Sequence, residues 1–229
     1  MKKIKLENKK VSVILSVYND EKNIQNSVNS ILNQSFSDFE FLIIDDCSTD
    51  NTLKILNKID DPRVKIFKNE FNLGLTKSLN KLIKYAQYDF IARQDSDDIS
   101  FPSRFEDQLS YINKVNIDGC TTLATVKGNI WKSPFLSRWL PLKFTIRYKN
   151  PFIHGSLMIK KSALINVGGY TEEFVYAQDY KLFLDLIMNG FNIKILKKNL
   201  YSLNMENNIS SLKKQEQNKY FAKAKDIYF

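Results

Sequence analysis

The sequence predicts a single α/β domain whose mainly parallel central sheet is flanked by helices. Short β-branched and aromatic runs alternate with amphipathic helical segments through the first hundred residues, in the order βαβαβαβ. Parallel neighbouring strands need helical crossovers of this kind, because a tight turn joins only antiparallel strands. The length of 229 residues is enough for one such domain with a sizeable core, and too short for two large ones.

The elements of this first half follow from the spacing of apolar residues. The opening run VSVILSV predicts a buried strand, whereas Ile24, Val28 and Ile31 recur with the period of one helix face. The same reasoning places strands at 11–17, 39–44, 64–66 and 88–92, and helices at 24–32, 53–59 and 75–83.

Beyond residue 102 the apolar pattern is less regular, and the 129–147 stretch is aromatic and basic without a clean period. Helices are predicted at 105–112 and 178–189, with strands at 119–127, 155–160 and 192–203. We expect the chain to divide into a basic N-terminal extension at 1–10, the α/β domain at 11–205 and a polar basic tail at 206–229.

The chain is basic, since 34 Lys and Arg against 25 Asp and Glu give a net charge of +9. Such a surface attracts a phosphorylated small molecule, an anionic membrane or nucleic acid, although the base composition of the gene explains the excess equally well. No nucleic-acid-binding motif accompanies the charge, so we expect no nucleic-acid partner. The charged N-terminus and the lack of an apolar run of ~20 residues predict a cytoplasmic protein.

The available residue types restrict any metal site mainly to carboxylates. The chain has one histidine, which excludes a His-rich zinc site. Its two cysteines, Cys47 and Cys120, form no CxxC motif and are expected to be small buried thiols. Oxygen ligands favour Mg²⁺ or Mn²⁺.

The segment Asp95-Ser96-Asp97-Asp98 is the strongest candidate site. Three carboxylates within four residues repel one another unless they are solvated or neutralised by a divalent cation. The same cation would bind a diphosphate, which the carboxylates alone would repel. The alternative is an acidic loop or a helix N-cap. The position after a predicted strand favours a site, because α/β sheets bind ligands at the carboxyl ends of their strands.

Three further positions have both a chemical and a structural interpretation. A carboxylate of the Asp45-Asp46 pair can accept the imide N–H of uracil, whereas Ser48 or Asp50 beside the pair could simply cap the next helix. Asp179 opens a predicted helix, where a carboxylate is either stabilised by the helix dipole or serves as a general base. His154 stands alone before a predicted strand, a position more typical of a structural residue.

Six stretches of the chain occur in the order and spacing of one known family. They are VSVILSVYNDEKNI, SILNQSFSDFEFLIIDDCSTDNT, NLGLTKSLN, YDFIARQDSDDISFPSRFEDQ, HGSLMIKKSALINVGGY and AQDYKLFLDLIMNGFNI. Through them the chain resembles glycosyltransferase family 2, of the GT-A fold, over nearly its whole length. The IARxDxDDIS pattern resembles the bacterial branch that builds surface polysaccharide and lipooligosaccharide. The resemblance makes 11–100 the nucleotide-binding half and 101–205 the acceptor half.

The resemblance also implies roles for individual residues. It assigns the donor nucleotide to Ser16, Tyr18, Asp46, Asp95 and Asp97, the metal to Asp97 and Asp98, the catalytic base to Asp179, and acceptor or supporting positions to Arg93, Arg104, His154 and Gly169. The implied reaction is metal-dependent and inverting: a sugar moves from a UDP-sugar to a hydroxyl of a glycan or lipid-linked acceptor. Mn²⁺ or Mg²⁺ would stabilise the leaving diphosphate.

The chain departs from the family pattern at two positions. Cys47 stands where the family usually has glycine, and Met205 stands about where a late histidine completes the metal or diphosphate site. A thioether is a poor ligand for a hard cation, although Glu206 is a nearby carboxylate. The alternative function is therefore a catalytically impaired GT-A scaffold that serves as a partner subunit. A nucleotidylyltransferase is disfavoured, because the loop after the first strand lacks glycine.

An aromatic and basic segment predicts contact with a membrane surface. Its members are Trp131, Phe135, Trp139, Leu140 and Phe144, which alternate with Lys132, Arg138, Lys143 and Arg147. Segments of this composition lie at membrane interfaces, and a lipid-linked acceptor would make peripheral contact with the inner, anionic face of the cytoplasmic membrane useful. The alternative is an acceptor-side loop with some core aromatics.

Overall fold

A computed structural model of the chain describes residues 9–126, 129–131, 142–205 and 213–229, with the backbone alone at 129–131 and 142–143. The strands in these ranges are β1 (Val11–Val17), β2 (Phe39–Asp45), β3 (Val64–Lys68), β4 (Phe90–Arg93), β5 (Ile99–Ser100), β6 (Gly119–Val126), β7 (Asn129–Trp131), β8 (Met158–Lys160) and β9 (Ile193–Leu203). The helices are α1 (Ile24–Leu32), α2 (Thr52–Leu56), α3 (Leu75–Tyr85), α4 (Arg104–Val115), α5 (Leu142–Thr145), α6 (Lys161–Asn166), α7 (Gln178–Met188) and α8 (Lys214–Asp226).

The strands form one sheet in the order β3-β2-β1-β4-β8-β6-β9-β5, and β7 pairs with β6. Strands β3, β2, β1 and β4 are mutually parallel, as their helical crossovers require. Strand β8 pairs antiparallel with both β4 and β6, whereas β6 and β9 run parallel. The predicted α/β fold with a mainly parallel sheet is confirmed.

Apolar side chains bury both faces of the sheet, as near-continuous apolar strands require. Along β1, Val13 and Leu15 point into a core formed with α1 and α4, whereas Ile14 points into a core formed with α3, α6 and α7. Helix α8 adds Ala224 to the second core. The carboxyl ends of the central strands remain free of core packing and face the polar loops.

Several boundaries differ from the sequence prediction. The predicted strand at 155–160 begins only at Met158, because His154–Ser156 forms a 3₁₀ turn. The predicted strand or strands at 192–203 form one long strand, which follows β6 through register shifts after Thr122 and Leu123. The two-residue strand β5 was not predicted, since it is too short to show a period.

The division into extension, domain and tail stays a prediction, and the structure shows where part of the tail lies. Helix α8 packs through Tyr220, Phe221 and Ala224 on the core that α3, α6 and α7 form with the sheet. None of the helices in the described ranges is both long and apolar enough to cross a bilayer. Positions 132–141 of the aromatic and basic segment lie outside the described residues.

Candidate functional site

The strand order brings the predicted donor-site residues to one edge of the sheet. Strand β1 lies between β2 and β4, so the residues that follow these three strands are neighbours. Ser16 is half-buried near the end of β1, and Tyr18 directly after it is 49% exposed. Asp46 follows β2, and the Asp95–Asp98 segment follows β4. These positions therefore lie at one edge of the sheet, at the carboxyl ends of the strands, where α/β sheets bind ligands.

Side-chain hydrogen bonds join the loop after β1 to the loop after β2. The Asn19 backbone N–H donates to Ser48 Oγ at 3.0 Å, and the Glu21 N–H donates to Asp50 Oδ2 at 3.0 Å. Asp50 also accepts from the Thr52 N–H at the start of α2, although the N-cap residue of that helix is Asn51. The loops after β1 and β2 are thus tied together at this edge of the sheet.

Asp46 is a buried carboxylate that organises the loop before α3. Its Oδ1 accepts from Asn69 Nδ2 at 2.7 Å and from the Leu73 N–H at 2.9 Å, and its Oδ2 accepts from the Gly74 N–H at 2.8 Å. Among the described residues this leaves one lone pair of Oδ2 for a further donor. Gly74 adopts φ +82°, where a side chain would be strained. Asp46 therefore has a structural function and room for one more hydrogen bond.

Cys47, the first departure from the family pattern, adopts a left-handed backbone with φ +65°. Glycine is favoured at such an angle because it has no Cβ to clash with the backbone. The Cys47 thiol is half-buried and lies 3.5 Å from the Glu70 carbonyl oxygen. Of the two cysteines, Cys120 is the fully buried one.

Asp95 is held by the protein on several sides. Arg93 Nη1 donates to its Oδ1 at 2.6 Å, and its backbone N–H donates to the Tyr201 hydroxyl at 3.2 Å. The 3₁₀ turn packs so closely that a Cβ on Gly155 would lie 2.5 Å from Asp95 Oδ2. The side chain is still 32% exposed. This arrangement fits a supporting role in which Asp95 fixes the segment that carries the next two carboxylates.

Asp97 and Asp98 are carboxyl groups whose ionised forms are disfavoured by burial and by neighbouring negative charge. Burial, together with the charges of Asp95 and Asp20, raises the pKa of Asp97 to about 6. Burial and the charges of Asp95 and Asp97 raise the pKa of Asp98 to about 8. A divalent cation would remove this repulsion, so the chemistry of the pair fits a cation.

The ligand set that the chain offers a cation is small. Within the described ranges, no three His, Cys, Asp or Glu side chains are grouped so that they alone could hold a metal ion. Asp98 Oδ1 already accepts from the Asn204 N–H at 2.8 Å. Met205, in place of the late histidine, is 41% exposed, and Glu206 lies outside the described residues. A cation here would need further oxygen ligands from a bound molecule.

Asp179 lies in the first turn of α7. Asn150 Nδ2 donates to its Oδ2 at 2.8 Å. Burial raises the pKa of Asp179, while the Asn150 hydrogen bond and the helix N–H groups lower it. The charge of Asp95 also raises this pKa, so the two carboxylates are close enough to interact. A raised pKa suits a group that takes up a proton near neutral pH.

His154 and Tyr170 form a neutral pair between Asp95 and Asp179. His154 Nε2 lies 2.7 Å from the Tyr170 hydroxyl. Burial and the charge of nearby Arg93 hold the pKa of His154 well below its ordinary value, so its ring stays neutral. The glycine turn before Tyr170 approaches α3 closely: Gly169 has φ +75°, and a Cβ there would lie 2.7 Å from Asn80 Oδ1.

Arg93 and Arg104 are buried beneath the site rather than exposed to an acceptor. Arg104 is 0% exposed, and its guanidinium donates to Gln94 Oε1 at 3.0 Å, Ser100 Oγ at 2.6 Å and the Arg93 carbonyl at 2.6 Å. Burial lowers the pKa of Arg104 to about 10, which still leaves it charged at neutral pH. Both arginines therefore act on the acidic segment from below, and the supporting interpretation fits them better than acceptor contact.

Sequence reasoning missed four residues of the site: Asn150, Tyr170, Tyr201 and Gln94. Tyr170 belongs to the quoted glycine motif and could have been found there. Gln94 Nε2 donates to the Asp98 carbonyl at 2.8 Å and lies inside the acidic segment's own motif. Asn150 stands in a stretch without a period, and Tyr201 comes from a strand far along the chain, so neither gave a local signal.

Curated relatives of the chain are glycosyltransferases. EpsE of Bacillus subtilis (strain 168), named for glycosyl transfer, is 34% identical over 202 residues, which cover 85% of this chain and 72% of EpsE. WfgD of Escherichia coli is named UDP-Glc:alpha-D-GlcNAc-diphosphoundecaprenol beta-1,3-glucosyltransferase. It is 32% identical over 183 residues, which cover 79% of this chain and 70% of WfgD.

Solved structures of glycosyltransferases share the fold of this chain. S. aureus TarS in complex with UDP-GlcNAc matches with a TM-score of 0.76 and 26% identity over 88% of this chain and 60% of that chain. In another crystal structure of TarS, this chain spans 39% of the length of TarS. PcManGT from Pyrobaculum calidifontis, solved with GDP-Man and Mn²⁺, matches with a TM-score of 0.73 over 93% of this chain, and at 16% identity it supports the fold alone. The predicted GT-A fold is confirmed.

The family itself follows from a direct match. The model described as Glycosyl transferase family 2 matches residues 12–172, which is more than half of the chain. Both relatives exceed 30% identity, and the matches span more than two thirds of their lengths. The predicted resemblance is thus confirmed, and the chain belongs to glycosyl transferase family 2.

Proposed function

We propose that this chain transfers a sugar, with inversion, from a UDP-sugar to a hydroxyl of a glycan or lipid-linked acceptor in surface polysaccharide or lipooligosaccharide synthesis. The observation that carries the proposal is that Asp46 and the Asp95–Asp98 segment follow β2 and β4, the two neighbours of β1, and that Asp95 is close enough to Asp179 to raise its pKa. Asp46 would bind the uracil ring, the Asp95–Asp98 segment would hold the cation that binds the diphosphate, and Asp179 would accept the proton of the acceptor hydroxyl. Relatives named for O-antigen and amylovoran biosynthesis support the polymer class.

The donor would bind at the ends of β1 and β2. The remaining lone pair of Asp46 Oδ2 is suited to the imide N–H of uracil, and the exposed ring of Tyr18 offers a face for the base. TarS was solved with UDP-GlcNAc, and WfgD is named for UDP-Glc, which supports a UDP-sugar. Ser16, half-buried beside Tyr18, would line the same pocket.

A divalent cation would be held by Asp97 and Asp98 together with oxygens of the donor diphosphate. The raised pKa values of both carboxylates mark the charge that such a cation would compensate. PcManGT, which shares the fold, was solved with Mn²⁺, and carboxylate and diphosphate oxygens suit Mn²⁺ or Mg²⁺. When bound, the cation supplies positive charge that stabilises the leaving diphosphate.

Asp179 would act as the general base of a single displacement. The acceptor hydroxyl loses its proton to Asp179 Oδ1, the oxygen that Asn150 does not engage, as its oxygen attacks the anomeric carbon. The new C–O bond forms opposite the bond to the diphosphate, which breaks with its electron pair. An α-linked UDP-sugar thus gives a β-linked product, which agrees with the beta-1,3 linkage in the name of WfgD.

A lipid-linked acceptor would bring the protein to the inner face of the cytoplasmic membrane. The described part of the aromatic and basic segment exposes 55% of Phe144 and 69% of Tyr148. Arg147 stacks on Phe229, itself 47% exposed, with the guanidinium 4.3 Å from the ring centre. We call Phe144, Arg147, Tyr148 and Phe229 the aromatic-basic patch, and its composition suits an anionic lipid surface.

The proposal is tested by UDP release from a panel of UDP-sugars with Mn²⁺ or Mg²⁺, in water and with lipid-linked and free glycan acceptors. We expect turnover with at least one donor, and losses of at least ~10²-fold for Asp97→Ala and for Asp179→Asn. Metal-dependent UDP binding without any turnover would favour the alternative, a GT-A scaffold that acts as a partner subunit. If the protein neither binds UDP nor turns over any UDP-sugar, the donor assignment is wrong.

A further inference from the structure

Helix α8 clamps α7, the helix that carries the proposed catalytic base. The Phe221 ring stacks on the Tyr180 ring with the centres 3.8 Å apart. Near the end of the chain, the Tyr228 hydroxyl donates to Asp185, which is also paired with Lys181 in a buried ion pair. Two residues of α7, Tyr180 and Asp185, are therefore held by α8 and by the residues directly after it. The family match ends at residue 172, before both helices begin.

The clamp begins at the residue that turns the chain into α7. Ala177 adopts a left-handed conformation with φ 50° and ψ 27°, although it is not a glycine. Such a backbone is costly for an L-residue and persists only where the surroundings over-determine it. Gln217 of α8 supplies one such constraint, since its Oε1 accepts from the Ala177 N–H at 3.0 Å. Ala177 is 4% exposed, so water cannot easily replace Gln217.

We propose that Gln217 is a positioning residue for glycosyl transfer, because it fixes the left-handed turn at Ala177 and thereby the direction of the Asp179 side chain two residues later. The inference rests on the proposed role of Asp179 as the base. Asn150 holds the carboxylate from one side, and Gln217 holds the backbone that carries it from the other. A general base must be positioned accurately, because a misplacement of ~1 Å costs about 10²-fold in rate. Asn150 and Gln217 together restrict the position of the Asp179 carboxylate.

A merely structural glutamine would affect stability but not the rate constants selectively. Gln217→Met removes the acceptor while preserving side-chain length and helix propensity. Gln217→Glu restores an oxygen that accepts from the Ala177 N–H. Gln215→Met is the matched control, because Gln215 lies on the same helix and is exposed. Asp179→Asn is the reference for loss of the base.

For the full chain, with the UDP-sugar that gives the highest turnover, we expect Gln217→Met to lower kcat about tenfold and to leave the donor KM within about twofold. Gln217→Glu should recover most of kcat, and Gln215→Met should match the wild type. Amide hydrogen exchange at Ala177 should be at least about tenfold faster in Gln217→Met only. Equal kcat in Gln217→Met and Gln215→Met would overturn the positioning role.

The outcomes separate this inference from the proposed function. If Asp179→Asn keeps wild-type turnover, the base assignment fails whatever Gln217 does. If Asp179→Asn is inactive while Gln217→Met is fully active, only the positioning role fails. If no donor is turned over, ¹³C NMR titration of the Asp179 carboxyl tests whether Gln217 acts on Asp179. An identical titration curve in the wild type and Gln217→Met contradicts the inference, and a shift toward the ordinary pKa of aspartate in Gln217→Met supports it.

Discussion

Asp179 shows how a single hydrogen bond tunes the proposed base. Its pKa is raised chiefly by burial, and the Asn150 hydrogen bond opposes that rise. The base must be deprotonated, so activity falls as the pH drops through this pKa, at a pH above the ~3.9 of an ordinary aspartate. Asn150→Ala removes a donor that stabilises the carboxylate, so the pKa should rise further and the acidic limb of kcat/KM should move to higher pH.

The measurement is a pH–rate profile with the best donor. The matched control is Asn166→Ala, because Asn166 is exposed and its amide donates to the Ser162 carbonyl on the surface of α6. The wild type, Asn150→Ala and Asn166→Ala share all other titrating carboxylates. A difference between the pH–rate profiles of the three proteins therefore reports the pKa of Asp179. An unchanged limb in Asn150→Ala would show that Asn150 does not act on the base.

Cys47 offers a test of backbone strain at the donor end of the site. At φ +65° a Cβ costs roughly 1–2 kcal/mol, whereas glycine adds roughly 0.5–1 kcal/mol of unfolded-state entropy. We therefore expect Cys47→Gly to raise the free energy of unfolding by about 0.5 kcal/mol, and Cys47→Val to lower it by more than 1 kcal/mol. Urea denaturation of Cys47→Gly and Cys47→Val gives the two changes in the free energy of unfolding, and Cys47→Ala accounts for the lost thiol. A destabilised Cys47→Gly would refute the strain argument.

At the scale of elements, the sequence predicted what local periodicity determines. Strands β1 and β2 and helices α1 and α3 have strong apolar periods and were found close to their observed bounds. The 3₁₀ turn at His154–Ser156 was mistaken for the start of a strand, because close packing of Gly155 against Asp95 decides its shape and no local pattern shows that contact. Strand β5 exists only through its pairing with β9.

Arg104 joins elements of both halves of the domain. It starts α4, and its guanidinium holds the end of β4, Ser100 of β5 and the face of Tyr201 in β9. Arg104→Met would leave several buried acceptors without a donor, so we expect the free energy of unfolding to fall by roughly 3 kcal/mol. That corresponds to a decrease in Tm of about 6–12 °C for a chain of this size.

Arg63→Met is the matched control for this prediction. The Arg63 side chain is 28% exposed, so water can partly replace its hydrogen bonds to Asp61 and the Leu32 carbonyl, and its loss should cost about 1 kcal/mol. Thermal unfolding followed by circular dichroism gives both values. Similar decreases in Tm for the two variants would show that the buried guanidinium does not join the two halves.

For the whole molecule, the parts of the candidate site that follow β2 and β4 were predictable, whereas the partners that the second half of the chain supplies to Asp95 and Asp179 were not. Asp46 and the acidic segment directly follow strands, and parallel topology alone brings strand ends together. Tyr201 contacts Asp95 across 106 positions of sequence, and Asn150 reaches Asp179 from a stretch with no period. Such contacts follow from how the second half of the chain folds back onto the sheet, which residue spacing does not encode.

The net charge of +9 and the aromatic-basic patch together predict selective binding to anionic membranes. Charge draws the protein to the surface and exposed aromatic rings then insert at the interface, so both should contribute. We expect co-sedimentation with vesicles of phosphatidylcholine containing phosphatidylglycerol, and little with phosphatidylcholine alone. Raising the salt from about 0.1 M to about 1 M shortens the screening length from ~10 Å to ~3 Å and should release most of the protein.

A double variant separates the contribution of the aromatic-basic patch from that of the overall charge. Phe144→Ser with Tyr148→Ser leaves the net charge unchanged and removes the two exposed rings, so binding at low salt should fall by roughly tenfold. Phe71→Ser is the control, because Phe71 is 63% exposed on the loop after the edge strand β3. If the double variant binds as well as Phe71→Ser, attraction is due to charge alone. If the wild type binds neutral and anionic vesicles equally, an anionic membrane surface is not its partner.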